Sequence, residues 1–284
     1  MEFTKNESEK FSTWKNQISD LNKISDLKKH HGKVYEMIKS NYTNENSIKT
    51  HLLALGSILK KIKGPIKAIK KYNNEAVIIN NNIIDILKNN EPDEKRCENF
   101  VSLKELNKKR KSLEFFTSNK ENIQHLILSL YTLQPPIRMN YLDVKIYDGN
   151  DKGDDNENYI VRNKNKFVFY LNDDKVIKSH GPIILPFSGG LNSIIKKSLK
   201  DYPRDYLLSV PTDPSKGITK ITFERLLNEV FEPKNVGIDI IRSAYIIDFY
   251  SKKKSVKQKE ELAKLMRHSK STAELNYVKF LLCK

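Results

Sequence analysis

NYIVRNKNKFVFYLN, residues 158–172, alternates apolar and polar side chains on either side of a polar turn. A period of two sends successive side chains to opposite faces of a sheet, so the stretch predicts a β-hairpin. Downstream, GPIILPF (181–187) predicts a third strand. Upstream, PPIRMNYLDVKIYDGN (135–150) leaves a helix and enters a strand. That helix is predicted in SNKENIQHLILSLYTLQ (118–134), which starts on a capping residue and carries an apolar face. From Leu191 onward the periodicity is mostly helical. The expected fold class is mostly α with a small antiparallel β-sheet, an α+β arrangement.

Outward toward the N-terminus the texture is helical throughout. Glu9 to Leu27 places Phe11, Trp14, Ile18 and Leu21 at spacings of three and four, the stripe of an amphipathic helix. A second helix is expected over about Val34–Ser40. NENSIKTHLLALGSILKKI (44–62) predicts a third, capped by Asn44 or Asn46, with Ile48, Leu52, Leu55, Ile58 and Leu59 on one face. Gly64-Pro65 punctuates its end, and another helix is expected over Ile66–Leu87. Lys88 to Lys111 is polar and charged: NNEPDEKRCENF reads as a loop and SLKELNKKRK as a short basic helix. A domain boundary is placed here, with a helical lobe and its linker over residues 1–112 and a mixed lobe over 113–284. The lysines of the joint suit either contact with DNA or an ordinary solvated linker.

Composition bounds the function. With 38% hydrophobic and 30% charged residues, the 284-residue chain is polar but able to build cores. It has no apolar run near the ~18 residues that cross a bilayer, and MEFTKNESEK lacks the apolar core of a secretory signal. A soluble intracellular protein with no membrane role is expected. Cys97 and Cys283 leave a disulfide open, a reducing compartment being the simpler reading. No cysteine and histidine stand at zinc spacing, so neither metal nor cofactor is expected. The net charge of +16 suits a polyanion, since each neutralised phosphate releases counterions. Abundant lysine, asparagine and isoleucine also fit translation of an AT-rich gene, which by itself raises the charge.

Four segments concentrate the chemistry of a phosphodiester. ELAKLMRHSKSTAELNYVKF (261–280) sets His268 nine residues before Tyr277. VGIDIIRSAYIIDFY (236–250) carries Arg242 among apolar neighbours, which argues for a partly buried guanidinium facing an anion. LQPPIRMNYLDVKIYDG (133–149) retains Arg138 in a chain where lysine dominates, a sign that a planar fork is needed there. FVFYLNDDKVIKSHGPIILPF (167–187) presents Lys175 and Lys178 on a turn between strands.

Taken in chain order, 133–149, 167–187, 236–250 and 261–280, the segments resemble those of the tyrosine site-specific recombinases, the phage-type integrases. The last resembles the family's L-G-H-S-x-x-x-T-x-x-x-Y, with Arg267 in place of the glycine, either to tighten the turn or to add a phosphate contact. VGIDIIRSAY resembles H-x-x-R-H, with Asp239 where the first histidine is usual and Ser243 where the second follows. The strand–turn segment resembles K-T-x-K-x-x-G, with Lys175, Lys178 and Gly181 in register and Val176 for the threonine. Tyr141 stands where an acidic residue often follows the first arginine, and Asp143 is the candidate to take over its bracing role.

The resemblance implies a helical core-binding domain over 1–112, whose segment 44–62 would lie against DNA, and a catalytic domain over 113–284. It implies Tyr277 as nucleophile and Lys175 as general acid, Lys178 being second choice. Arg138 and Arg242 would hold the phosphoryl oxygens, His268 would hydrogen-bond the same phosphate, and Asp239 would occupy a variable position of the site. It further implies double-stranded DNA as partner, a homotetramer on two DNA sites, and no cofactor. The tail VKFLLCK would dock on a neighbouring protomer or on its own domain. A source among AT-rich DNA viruses, virophages or mobile elements would follow, with a place in the host nucleus, a cytoplasmic viral factory or the virion. Three alternatives stand beside it: a type IB topoisomerase, a recombinase-derived DNA-binding protein that no longer cuts (Asp239 keeps it open), and a basic helical interaction protein.

Overall fold

The structure is a computed structural model and describes residues 2–88, 94–149, 151–164, 166–177 and 181–276. The chain divides into two compact units, Met1–Asn89 and Asn90–Lys284.

The first unit packs α1 (Lys5–Lys15), α2 (Leu27–Asn41), α3 (Glu45–Lys61) and α4 (Ile66–Lys88) around one apolar core. Phe11, Trp14, Ile18 and Leu21 are all buried as the stripe predicts, yet α1 stops at Lys15. The reason is local. Gln17 N–H bonds Trp14 C=O and Leu21 N–H bonds Ile18 C=O, both at 3.0 Å, so successive three-residue turns keep the same side inward without a helix. Asn16, Asp20 and Asn22 favour such turns by competing for the backbone. Asn44 is the cap of α3, its Oδ1 accepting Ser47 N–H at 3.1 Å. At Gly56, α3 passes so close to α4 that a Cβ would meet Asn73 Oδ1 at 2.9 Å. Eight of the seventeen residues of α3 are buried, among them His51, Leu52, Leu55, Ile58 and Leu59.

One carboxylate joins two helices of this unit. Glu7 closes a capping box with Thr4 at the start of α1. The same buried group accepts Ser57 Oγ and Lys61 Nζ from α3, each at 2.6 Å.

The second unit begins before residue 113. α5 (Glu94–Glu98) and α6 (Leu103–Ser112) belong to it, Val101 and Leu106 being buried in its core. Lys234 Nζ donates to Phe100 C=O at 2.8 Å, so the charged stretch read as a joint is packed from Phe100 onward, at Phe100, Val101 and Leu106. Cys97 on α5 is disulfide-bonded, the alternative that the sequence left open. α7 (Asn119–Thr132) runs through the core and is buried from Asn122 to Thr132. Two of its buried amides are matched internally: Asn122 Nδ2 donates to Ser198 C=O at 3.1 Å, and Gln124 Nε2 to Leu226 C=O at 3.0 Å.

A sheet of order β1-β2-β3-β4 follows, made of β1 (Lys145–Asp148), β2 (Tyr159–Asn163), β3 (Lys166–Leu171) and β4 (Ile183–Pro186). The predicted hairpin is β2–β3, in register Ile160 to Phe169. The sheet is mixed and not wholly antiparallel, because β1 pairs with β2 in parallel. Parallel neighbours need a return connection, and residues 149–158 supply it. The other edge of β1 is held by Ile146 N–H to Asp205 C=O (2.8 Å) and Leu207 N–H to Val144 C=O (2.9 Å).

The remainder is α8 (Gly189–Asp201), a small ribbon of β5 (Ser209–Val210) and β6 (Asp213–Gly217), α9 (Lys220–Phe231), α10 (Ile238–Ser251), α11 (Val256–Leu265) and α12 (Lys270–Asn276). The ribbon escaped the sequence reading because β6, DPSKG, has no alternation and is largely exposed. The molecule is thus α+β, mostly helical with a small mixed sheet. Among the described residues no helix is long and apolar enough to cross a membrane.

Candidate active site

The site is built on the end of α11. Met266 N–H bonds Leu262 C=O (2.9 Å), Arg267 N–H bonds Lys264 C=O (3.0 Å), and His268 N–H bonds Ala263 C=O (3.0 Å). This is a Schellman termination, with Arg267 at the left-handed position (φ 59°) that glycine usually fills. It turns the chain sharply and delivers His268 directly after the helix.

Two arginines from distant segments grip this turn. Arg138 Nη1 donates to Arg267 C=O at 3.0 Å, across 129 residues of sequence. Arg242 Nη2 donates to Met266 C=O at 3.1 Å, and its Nη1 to Pro136 C=O at 2.7 Å. Arg242 therefore ties the segment of Arg138 to the segment of His268. It rises from the second turn of α10 and is fully buried, deeper than the sequence suggested. Arg138 is half-buried, and Tyr131 Oη fixes its main chain by donating to Arg138 C=O at 2.9 Å.

His268 is 6% exposed. Burial pushes its pKa down to about 4, against a hydrogen bond to Ser269 C=O and with help from the charges of Arg242 and Arg138. The ring is therefore neutral at pH 7. Its Nδ1 lies 3.0 Å from Ser269 C=O, which can only accept, so the proton is assigned to Nδ1 and Nε2 is an acceptor.

The Arg267 side chain is engaged within the protein. Its guanidinium is buried, with Nε 2.8 Å from Asp174 Oδ2 and Nη2 donating to Gly181 C=O at 2.8 Å. Asp174 also takes Val176 N–H on its other carboxylate oxygen, and its own C=O accepts Ile177 N–H at 3.2 Å. Gly181 has φ +65°, which explains a glycine at that register. Lys175 stands exposed on the turn between these two anchor points. Sequence reasoning missed the Arg267–Asp174 pair; the one signal was an arginine in a place suited to glycine.

Asp239 sits in the first turn of α10, exposed, with no side-chain hydrogen bond or ion pair among the described residues. Its C=O accepts Ser243 Oγ at 2.7 Å, so Ser243 is turned inward along its own helix. Asp143 lies against Gly217, whose added Cβ would fall 2.4 Å from Asp143 Oδ1, and this is not a brace for Arg138. Tyr141 is buried and accepts Gln134 Nε2 at 2.5 Å. Tyr277, Lys178 and the tail 278–284 lie outside the described residues.

The structure thus brings together Arg138, Arg242 and His268, and ties the Lys175 turn to the same three-residue corner. Fixed guanidiniums beside a buried neutral imidazole suit an anionic oxygen whose charge grows during reaction. Among the described residues no group of three or more His, Cys, Asp or Glu is arranged to hold a metal ion. No protein-family model matches the chain, and no curated protein shows significant similarity to it.

Proposed function

We propose that the chain is a site-specific DNA recombinase that cuts and rejoins double-stranded DNA through a 3′-phosphotyrosyl link at Tyr277. The observation that carries this reading is the meeting of Arg138, Arg242 and His268 at residues 266–268, where each guanidinium holds one of two consecutive carbonyls. The net charge of +16 supports a polyanionic substrate.

In this reading the Tyr277 oxygen attacks phosphorus, the bond from phosphorus to O5′ breaks, and Lys175 gives its proton to the departing oxygen. Neutral His268 accepts the phenolic proton through Nε2, and the imidazolium so formed donates to the phosphate. Arg138 and Arg242 stabilise the charge on the non-bridging oxygens. A free 5′ hydroxyl then attacks the phosphotyrosine and gives its proton to Lys175; the bond from phosphorus to the Tyr277 oxygen breaks, His268 returns the phenolic proton to that oxygen, and the DNA is rejoined. Two sites held by four chains complete an exchange.

A second reading, a DNA-binding protein of recombinase descent that does not cut, is favoured by Arg242. It is 0% exposed and engaged with two main-chain carbonyls.

The test is a nicked suicide duplex incubated with wild type and with Tyr277→Phe, then run on a denaturing protein gel. A covalent band in wild type that is absent from the variant is the expected result. Tight DNA binding with no band in either protein would reject cutting and leave the second reading.

A further inference from the structure

A lysine on a surface turn acts as a general acid only if something fixes where the turn lies. The Lys175 turn is anchored by one guanidinium. Arg267 holds Asp174, the residue before the lysine, through Nε at 2.8 Å, and Gly181, six residues after it, through Nη2 at 2.8 Å. Both partners of the ion pair are buried, with side-chain exposures of 4% and 1%. Asp173 adds to the first anchor point: its C=O accepts Asn158 Nδ2 (2.8 Å) and Asn140 Nδ2 (3.3 Å), and its N–H donates to Asn158 Oδ1 (2.8 Å).

The other end of Arg267 is the corner of the site. Its C=O accepts Arg138 Nη1, and its left-handed backbone sets the direction in which His268 leaves α11. One residue therefore touches the turn of the proposed acid with its side chain and the proposed phosphate-binding guanidinium with its main chain. A glycine would make the same corner with less strain, but it would release the turn.

We propose that Arg267 and Asp174 are positioning residues that fix the Lys175 turn against the Arg138–His268 corner, so that the ammonium meets the leaving 5′ oxygen. This rests on the recombinase reading above. The pair takes no proton itself; the proton passes from Lys175 to O5′ as the phosphorus–oxygen bond breaks.

A duplex recovered from random DNA by selection on the full chain, with its cleavage position mapped using wild type, is synthesised with oxygen or with sulfur as the bridging 5′ atom. A thiolate leaves without a proton, so the sulfur duplex bypasses the acid. Asp174→Asn keeps the shape of the side chain, and Arg267→Gly keeps the corner. Both are expected to cleave the oxygen duplex at least about tenfold more slowly than wild type, within the usual reach of general-acid catalysis, and the sulfur duplex at near the wild-type rate. Equal losses on both duplexes would overturn the positioning role while leaving the recombinase reading intact. Wild type that forms no adduct on either duplex would overturn both. Without DNA, trypsin should cut after Lys175 faster in Arg267→Gly than in wild type; an unchanged rate would show that the anchor does not hold the turn.

Discussion

Replacing Arg267 by glycine sets two effects of opposite sign against each other. The backbone gains, because Arg267 is held at φ 59°, where a side chain costs about 1 kcal/mol relative to glycine. The side chain loses more. Removing one partner of a buried ion pair typically costs about 3–5 kcal/mol, since the surviving charge stays buried without its counterion. Here the survivor is the Asp174 carboxylate, 1% exposed, and Gly181 C=O loses its donor as well. The ion pair wins, and Arg267→Gly should destabilise the second unit by about 2–4 kcal/mol. Asp174→Asn alone should also destabilise it, by stranding the guanidinium. The double variant buries no charge at this point, so its loss should fall short of the sum of the singles by about 1–3 kcal/mol, the coupling of neighbours in contact. Urea unfolding followed by far-UV circular dichroism measures this; Trp14, the only tryptophan, reports on the other unit. An Arg267→Gly protein as stable as wild type would refute the reasoning, because relief of backbone strain would then equal everything the pair contributes.

Three further outcomes are expected. Arg138→Met should slow covalent adduct formation by about 10²–10³, the usual effect of losing one fixed charge donor, with DNA affinity in a gel shift little changed. Stability should fall with acid: His125 and His268, both held near pKa 4 chiefly by burial, stay neutral in the fold while the unfolded chain binds protons below about pH 6.5. Their contribution is complete above that pH and is lost progressively between about 6.5 and 4, so urea midpoints measured down this range should drop less steeply in His125→Gln than in wild type. DNA binding should weaken linearly in log–log form as salt rises, with a slope of about −0.9 per phosphate contacted on duplex DNA; a flat dependence would count against a polyanionic partner.

Much of the architecture was legible because it is local. The β2–β3 hairpin follows from alternation in 158–172, and α3 and α7 follow from apolar faces with recognisable caps at Asn44 and Ser118. What was hidden depends on distant partners. Parallel pairing of β1 is set partly by residues 205–207, which no pattern within 145–148 announces. The end of α1 at Lys15 was hidden differently, since Ile18 and Leu21 keep a helical spacing through turns that are not helical. The site divides the same way. Arg138, Arg242 and His268 could be chosen by the resemblance of their segments, and they meet. Arg267 with Asp174 could not, because nothing in either segment records a partner 93 residues away. Asp239 was placed by register alone, and its exposed side chain shows how little register says about where an atom points.

The carboxylate of Glu7 has a practical consequence for anyone handling this protein. Here the first residues are bound into the unit: Lys61 Nζ, besides meeting Glu7, donates to Glu2 C=O at 3.2 Å and lies 5.5 Å from the Phe3 ring centre. A shortened clone beginning beyond Glu7 would leave Ser57 and Lys61 facing an emptied corner, and would unsettle the far end of α3 as well as the helix that was cut.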